Sequence, residues 1–125
     1  MRRFLGALRV RFGAESTRAL EFWEVESRER VLALQRRGEL VRVLLLPLEL
    51  GGTDAEENAT YVPPDVAAVK DRLGATLRRY FAEGRVDRLS VEPRFKGGSL
   101  VPANIRVRAW NSQRIGEFTT VIEIW

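Results

Sequence analysis

Pro63-Pro64-Asp65-Val66-Ala67-Ala68-Val69-Lys70-Asp71-Arg72-Leu73-Gly74-Ala75-Thr76-Leu77-Arg78-Arg79-Tyr80-Phe81-Ala82-Glu83-Gly84 is the segment from which the architecture follows. The two prolines suit a helix start, because proline at the first helical position lacks only an N–H that would have no partner there. Asp65 places negative charge at the positive end of the macrodipole. Val66, Val69, Leu73, Leu77, Tyr80 and Phe81 then recur at helical spacing and form one apolar stripe. Lys70, Arg72, Arg78 and Arg79 fall mostly on the other side, and Gly84 is placed to end the helix with positive φ. The spacing therefore predicts a long helix over 64–83. Gly74 inside it costs up to about 1 kcal/mol relative to alanine, for which close packing on a sheet is the plain reason.

Outward from this helix the chain reads as β-structure. Downstream, Leu89, Val91 and Phe95 alternate with Ser90, Glu92 and Arg94, and Pro93 suggests an edge strand or a bulge. Ile105, Val107 and Ala109 alternate with Arg106, Arg108 and Trp110. Phe118, Thr120, Ile122 and Ile124 alternate with polar and apolar neighbours up to Trp125, which reads as a strand continued to the last residue. Asn111 to Gly116 join the last two strands as a hairpin.

Upstream, Leu8, Val10 and Phe12 alternate with Arg9 and Arg11 as a half-buried strand, a helix over 4–12 being the competing reading, and a loop follows over 13–17. Leu20 to Glu26 is rich in strand formers, with a slip at Phe22-Trp23 that suggests a bulge. Val31 to Gln35 and Leu40 to Leu50 flank Arg36-Arg37-Gly38-Glu39, the pattern of a hairpin around a glycine able to take positive φ. Residues 51–60 begin Gly51-Gly52-Thr53-Asp54-Ala55-Glu56-Glu57-Asn58, which lacks periodicity and reads as a mobile surface loop between two β halves.

With one good helix the sheet must be mostly antiparallel, because parallel crossovers need more helices. The expectation is one α+β domain over 1–125. Its sheet is mostly antiparallel with about 6–7 strands in the order βββ(β)-α-βββ, and the helix covers one face.

Composition narrows the chemistry. The 125 residues are 45% hydrophobic and 30% charged, as in ordinary globular proteins, and contain neither Cys nor His. That removes disulfides, thiolate nucleophiles, sulfur-ligated zinc and the imidazole base. Catalysis would fall to carboxylates, Lys70, Lys96, Tyr61, Tyr80 or a hydroxyl, so an enzyme is the least favoured reading and no cofactor or metal is expected. No run approaches the ~20 apolar residues that span a bilayer. Arg9 and Arg11 interrupt the apolar start before it has the length of a signal peptide, so the expected location is cytoplasmic, and Asn58-Ala59-Thr60 then carries no meaning as a glycosylation acceptor.

The chain carries 21 Lys+Arg against 17 Asp+Glu, a modest +4, with the positive charge on its two flanks. If alternation holds, Arg9, Arg11, Arg94, Arg106, Arg108 and Trp110 share the helix-free sheet face. With Lys96 of Lys96-Gly97-Gly98-Ser99 they are the candidate anion or nucleic-acid surface. Set against that, Glu92, Glu117 and Glu123 alternate in phase with the arginines, which favours a solvated, paired face. The glycine pair at 97–98 is followed by a strand rather than a helix, so turn chemistry explains it better than a P-loop. Asp54, Glu56, Glu57 and Asp65 lack the alternating pattern of a calcium loop and read as a solvated acidic surface. Glu21, Glu24 and Glu26 bracket Trp23, a weak hint of a carboxylate pair beside a sugar platform; core or interface is the commoner role for such a tryptophan.

These features point to a small soluble binding domain without catalytic activity that self-associates or docks a protein partner, with no membrane role. Single-stranded nucleic acid on the arginine face is the alternative, and a carboxylate, Tyr or Lys enzyme the third reading.

Overall fold

A computed structural model describes residues 5–10 and 15–125, in which the predicted helix runs over Pro64–Ala82 (α3). Its start is built as expected, with Pro64 at the first helical position and the Asp65 carboxylate accepting from the Val66 N–H at 3.0 Å. Its end is a Schellman motif. Gly84, at φ +72°, donates to the Phe81 carbonyl, and Arg85 donates to that of Tyr80. Val66 and Leu77 are fully buried, and Val69, Leu73, Tyr80 and Phe81 pack against the same core.

The helix covers a four-stranded sheet in the order β1-β6-β5-β4, formed by Leu5–Val10 (β1), Arg88–Arg94 (β4), Asn104–Trp110 (β5) and Glu117–Glu123 (β6). β4-β5 and β5-β6 are antiparallel and β1-β6 is parallel, so the sheet is mixed. Registers Leu89↔Ala109↔Phe118, Val91↔Val107↔Thr120 and Pro93↔Ile105↔Ile122 line up the core face. Tyr80 meets Phe118 edge-on at 5.9 Å, tying the end of α3 to that face. Pro93 lies in β4, an edge of the sheet, where a missing N–H costs no ladder bond. The strand reading over 8–12 holds for its described part, since Leu5–Val10 is β1; residues 11–14 lie outside the described residues.

Two predicted strands are helices. Glu15–Phe22 is α1, and Arg28–Arg36 is α2. The expected strand Leu20–Glu26 is thus the end of α1 and the turn after it. Ala19 and Phe22 of the helix and Val25 of the turn face the core three residues apart, a period that the same letters also allow to be read as a slipped strand. In the second, Val31 and Leu34 are the buried pair, and the rest is Leu, Ala, Gln, Glu and Arg, all good helix formers. Ser27 caps α2, its Oγ accepting from the Arg30 N–H at 3.1 Å. Gly38 does take positive φ (+76°), but in a second Schellman motif, with Gly38 donating to Gln35 and Glu39 to Leu34, so it closes a helix rather than a hairpin.

Val41–Leu44 (β2) pairs antiparallel with Ala59–Val62 (β3), a strand that the polar loop had concealed. The order before α3 is thus βααββ, not the run of strands expected. The connection is not a free loop. The Asn58 side chain bonds the Leu46 N–H and carbonyl at 3.0 and 2.9 Å and the Thr53 carbonyl at 2.7 Å. Gly52 donates to Pro47, and a Cβ on it would lie 1.9 Å from the Leu46 carbonyl oxygen.

Gly74 corrects a further expectation. A Cβ there would meet only the Arg78 guanidinium, at 3.4 Å, so close backbone packing does not explain the glycine.

The two loop glycines separate steric from conformational cost. Gly51 has φ +99° and open space, so Gly51→Ala is expected to cost about 1 kcal/mol through left-handed strain alone. Gly52→Ala must displace backbone and should cost about 3 kcal/mol, at the upper end of overpacking penalties. Urea unfolding of both variants checks this, and equal losses would contradict the locked loop.

Candidate functional site

Register places Arg94, Arg106, Arg108 and Trp110 on the helix-free face of the sheet, as alternation required. The cross-strand rows are Arg88↔Trp110↔Glu117, Ser90↔Arg108↔Thr119, Glu92↔Arg106↔Val121 and Arg94↔Asn104↔Glu123. Arg9 joins the third row through its pairing with Val121, while Arg11 lies outside the described residues. Arg108 donates from Nε and Nη2 to Glu117 Oε2 at 3.2 and 2.9 Å, and its guanidinium sits 5.1 Å from the centre of the Trp110 ring. Arg94 lies 3.8 Å from Glu92. Arg106 is exposed opposite Glu92. The face thus interleaves both signs, and Trp110 is half-buried beneath an arginine that is already paired. An anion-steering surface needs a run of one sign, which these rows lack.

Lys96 does not join that face. Its ammonium donates to the Trp125 backbone oxygen at 3.0 Å and lies 5.2 Å from the centre of the Trp125 ring. Trp125 is itself buried, donating from Nε1 to the Val101 carbonyl at 3.0 Å. β6 stops at Glu123 and lies between β5 and β1, so it presents no open edge to a second chain.

The Lys96-Gly97-Gly98-Ser99 turn instead supports an aromatic surface. Ser99 donates to the Lys96 carbonyl, and Gly97 adopts φ +55°. The missing side chains admit neighbours. A Cβ on Gly97 would sit 3.2 Å from the Trp23 ring, and one on Gly98 would sit 3.2 Å from the Glu26 carboxyl carbon. Leu100 N–H donates to the Val25 carbonyl at 2.7 Å, so residues 23–26 run along residues 97–100. Trp23 meets Trp125 edge-on at 6.1 Å yet remains 53% exposed, with Phe95 at 50%, Leu100 at 41% and Leu20, one helical turn before Trp23, at 80%. Large apolar groups left half in water on a folded surface are the informative observation. Sequence reading placed Trp23 on a strand and so could not bring it beside the glycine turn.

The acidic loop is held by arginine. Arg42 bonds Asp54 Oδ1 and Glu56 Oε1, each at 2.9 Å, while Arg28 reaches Glu56 Oε2 at 3.1 Å and the Tyr61 hydroxyl lies 3.2 Å from the same oxygen. Arg42 above all holds the Glu56 carboxyl below the usual carboxylate range. Asp65 stands apart, paired with Arg18. Among the described residues no group of three or more His, Cys, Asp or Glu is placed to hold a metal.

The cleft beside Lys70 was missed. It measures about 300 Å³ and lies between α3 and the Val43–Glu49 segment. Lys70 was expected among the solvent-facing cations. In fact its ammonium is drawn inward, donating to the Leu44 and Leu45 carbonyls at 2.6 and 2.9 Å and so tying α3 to the end of β2. The signal lay in the spacing, since Val66, Lys70, Leu73 and Leu77 are four, three and four residues apart and share the inward face. Loss of hydration pushes the amine from 10.5 down to about 8, with Asp71 opposing weakly.

Because the folded value lies below the unfolded one, folding disfavours the protonated form. The penalty is complete below pH 8 and is relieved as pH rises towards 10.5, where the native state binds fewer protons than the unfolded state. Relative to Lys70→Met, the wild type is therefore expected to gain stability across that window. Urea unfolding at each pH tests this, and a difference independent of pH would contradict it.

Comparison with protein-family models, with curated proteins and with solved structures returns no match, so the site's chemistry has to be read from this chain's own residues.

Proposed function

We propose that this chain is a small binding module that docks a protein partner on the surface formed by Trp23, Phe95 and Leu100. The carrying observation is the half-exposed Trp23 ring seated over Gly97 beside exposed Phe95 and Leu100. Tryptophan dominates binding energy at protein interfaces, because one rigid ring buries a large area at little entropic cost.

Charge around the patch defines the partner. Glu21, Glu24 and Glu26 are exposed about Trp23, and none is in a salt bridge among the described residues. Lys96, the neighbouring cation, is already held on Trp125. The rim is therefore negative, and it suits a partner with an apolar or aromatic side chain flanked by Lys or Arg. Two copies meeting face to face across a two-fold axis would bring the glutamates together, which opposes self-association through this patch. Phosphate backbones would meet the same repulsion.

Two fluorescent peptides test the reading, one with a central Phe flanked by Lys and one with Glu in place of each Lys. The basic peptide should bind, lose about tenfold in affinity on Trp23→Ala, and weaken with added salt. Equal binding of both peptides, or indifference to Trp23→Ala, would contradict it. So would tighter binding of a single-stranded oligonucleotide that depends on Arg106 and Arg108.

A further inference from the structure

The cleft beside Lys70 is remote in function from the docking surface and has its own chemistry. Its floor is one face of α3, where Lys70, Gly74 and Arg78 follow each other at four-residue intervals, with Ala67 and Asp71 beside them. The opposite wall is Val43, Leu44, Pro47, Leu48 and Glu49. The walls are thus mainly apolar, and both cations lie along one line.

Three observations concern what fills this space. First, Lys70 uses two of its three N–H groups on backbone carbonyls, and no carboxylate within the described residues comes to salt-bridge distance. Carbonyl dipoles satisfy hydrogen bonds but do not neutralise a charge, so one donor remains and the positive charge is offset only weakly, by Asp71. Second, Arg78 reaches back along the helix, its Nη1 lying 3.4 Å from where a Gly74 Cβ would stand, which brings the guanidinium to within about one turn of Lys70. It forms an ion pair with Glu49 at 3.6 Å without a hydrogen bond, so its N–H donors stay open to a second acceptor. Third, Gly74 is buried mid-helix at a cost in helix propensity that no contact explains, since a methyl there would meet only the flexible end of Arg78. Its absence keeps the cleft open between the two cations.

We infer that this cleft binds a small carboxylate with a short aliphatic body. The carboxylate would take the third Lys70 N–H and approach the Arg78 guanidinium, and the hydrocarbon would lie against Val43, Pro47, Leu48 and Ala67. About 300 Å³ is at the lower end of ligand pockets and has ample room for a carboxylate of a few carbons. Asp71 and Glu49 also face the cleft; they limit the charge of the ligand to a single carboxylate and disfavour a phosphate dianion. The downward shift of the Lys70 amine is consistent with a cation lacking its counterion.

Lys70 and Lys96 are the chain's two lysines, so ¹⁵N-lysine labelling gives two ammonium signals, assigned with Lys96→Arg. Titration with butanoate should move the Lys70 signal saturably and raise its midpoint by about one pH unit, leaving Lys96 unmoved. Gly74→Ala should weaken that binding about tenfold while the fold is retained. Inorganic phosphate at equal ionic strength should act at least about tenfold more weakly. The inference is overturned if butanoate leaves Lys70 unmoved, if both lysines respond alike, if Gly74→Ala has no effect, or if phosphate binds as well as butanoate.

Discussion

Leu73 and Leu77 of α3 lie against Leu89, Val91 and Val107 of the sheet, and the rest of the structure depends on that contact. Each layer has one apolar side that neither could keep dry alone. Pressed together they form one continuous buried cluster. Burial of side chains of this size contributes roughly 1.5–3 kcal/mol each, far more than any surface ion pair in the molecule. With α3 seated, the ends of the helix fix its neighbours. Asp65 meets Arg18 of α1 at one end, and Tyr80 meets Phe118 of β6 at the other.

Both candidate surfaces are by-products of this seating. The Val43–Glu49 segment cannot lie flush on α3, because Lys70 stands between them and draws the Leu44 and Leu45 carbonyls to its ammonium, and the remaining space is the cleft. Elsewhere, Phe22 at the end of α1 and Val25 in the turn after it face inward, which leaves Leu20 and Trp23 outward. The glycine turn at 97–98 leaves room for the indole against its backbone, and Trp125 meets the ring edge-on.

Legibility followed the strength of the periodic signal. The stripe Val66, Val69, Leu73, Leu77, Tyr80, Phe81 is too long to fit anything but a helix, and Ile105-Val107-Ala109 alternates with Arg106 and Arg108 too cleanly to be anything but a strand. The segments 15–22 and 28–36 are short, and their apolar residues are spaced to satisfy either period. Ser27 and Gly38, the caps that distinguish the two, read equally well as loop residues. β3 was concealed because the loop before it gains its order from Asn58 and Gly52, through contacts set by tertiary structure. The arginine face was legible as geometry. Its pairing with acidic residues was indicated by Glu92, Glu117 and Glu123 alternating in phase, while which glutamate meets which arginine depended on register, which local sequence does not specify. The Trp23 surface was beyond sequence reading because 23 and 97 are distant along the chain.

A double-mutant cycle between Leu77 and Val107 tests the helix-on-sheet contact most directly, with stability measured by urea unfolding. Leu77→Ala should cost about 2–5 kcal/mol, and the cycle with Val107→Ala should show a coupling of about 0.5–3 kcal/mol. A loss for Leu77→Ala no larger than that of a surface substitution, together with strict additivity of the pair, would show that α3 does not lie on this sheet.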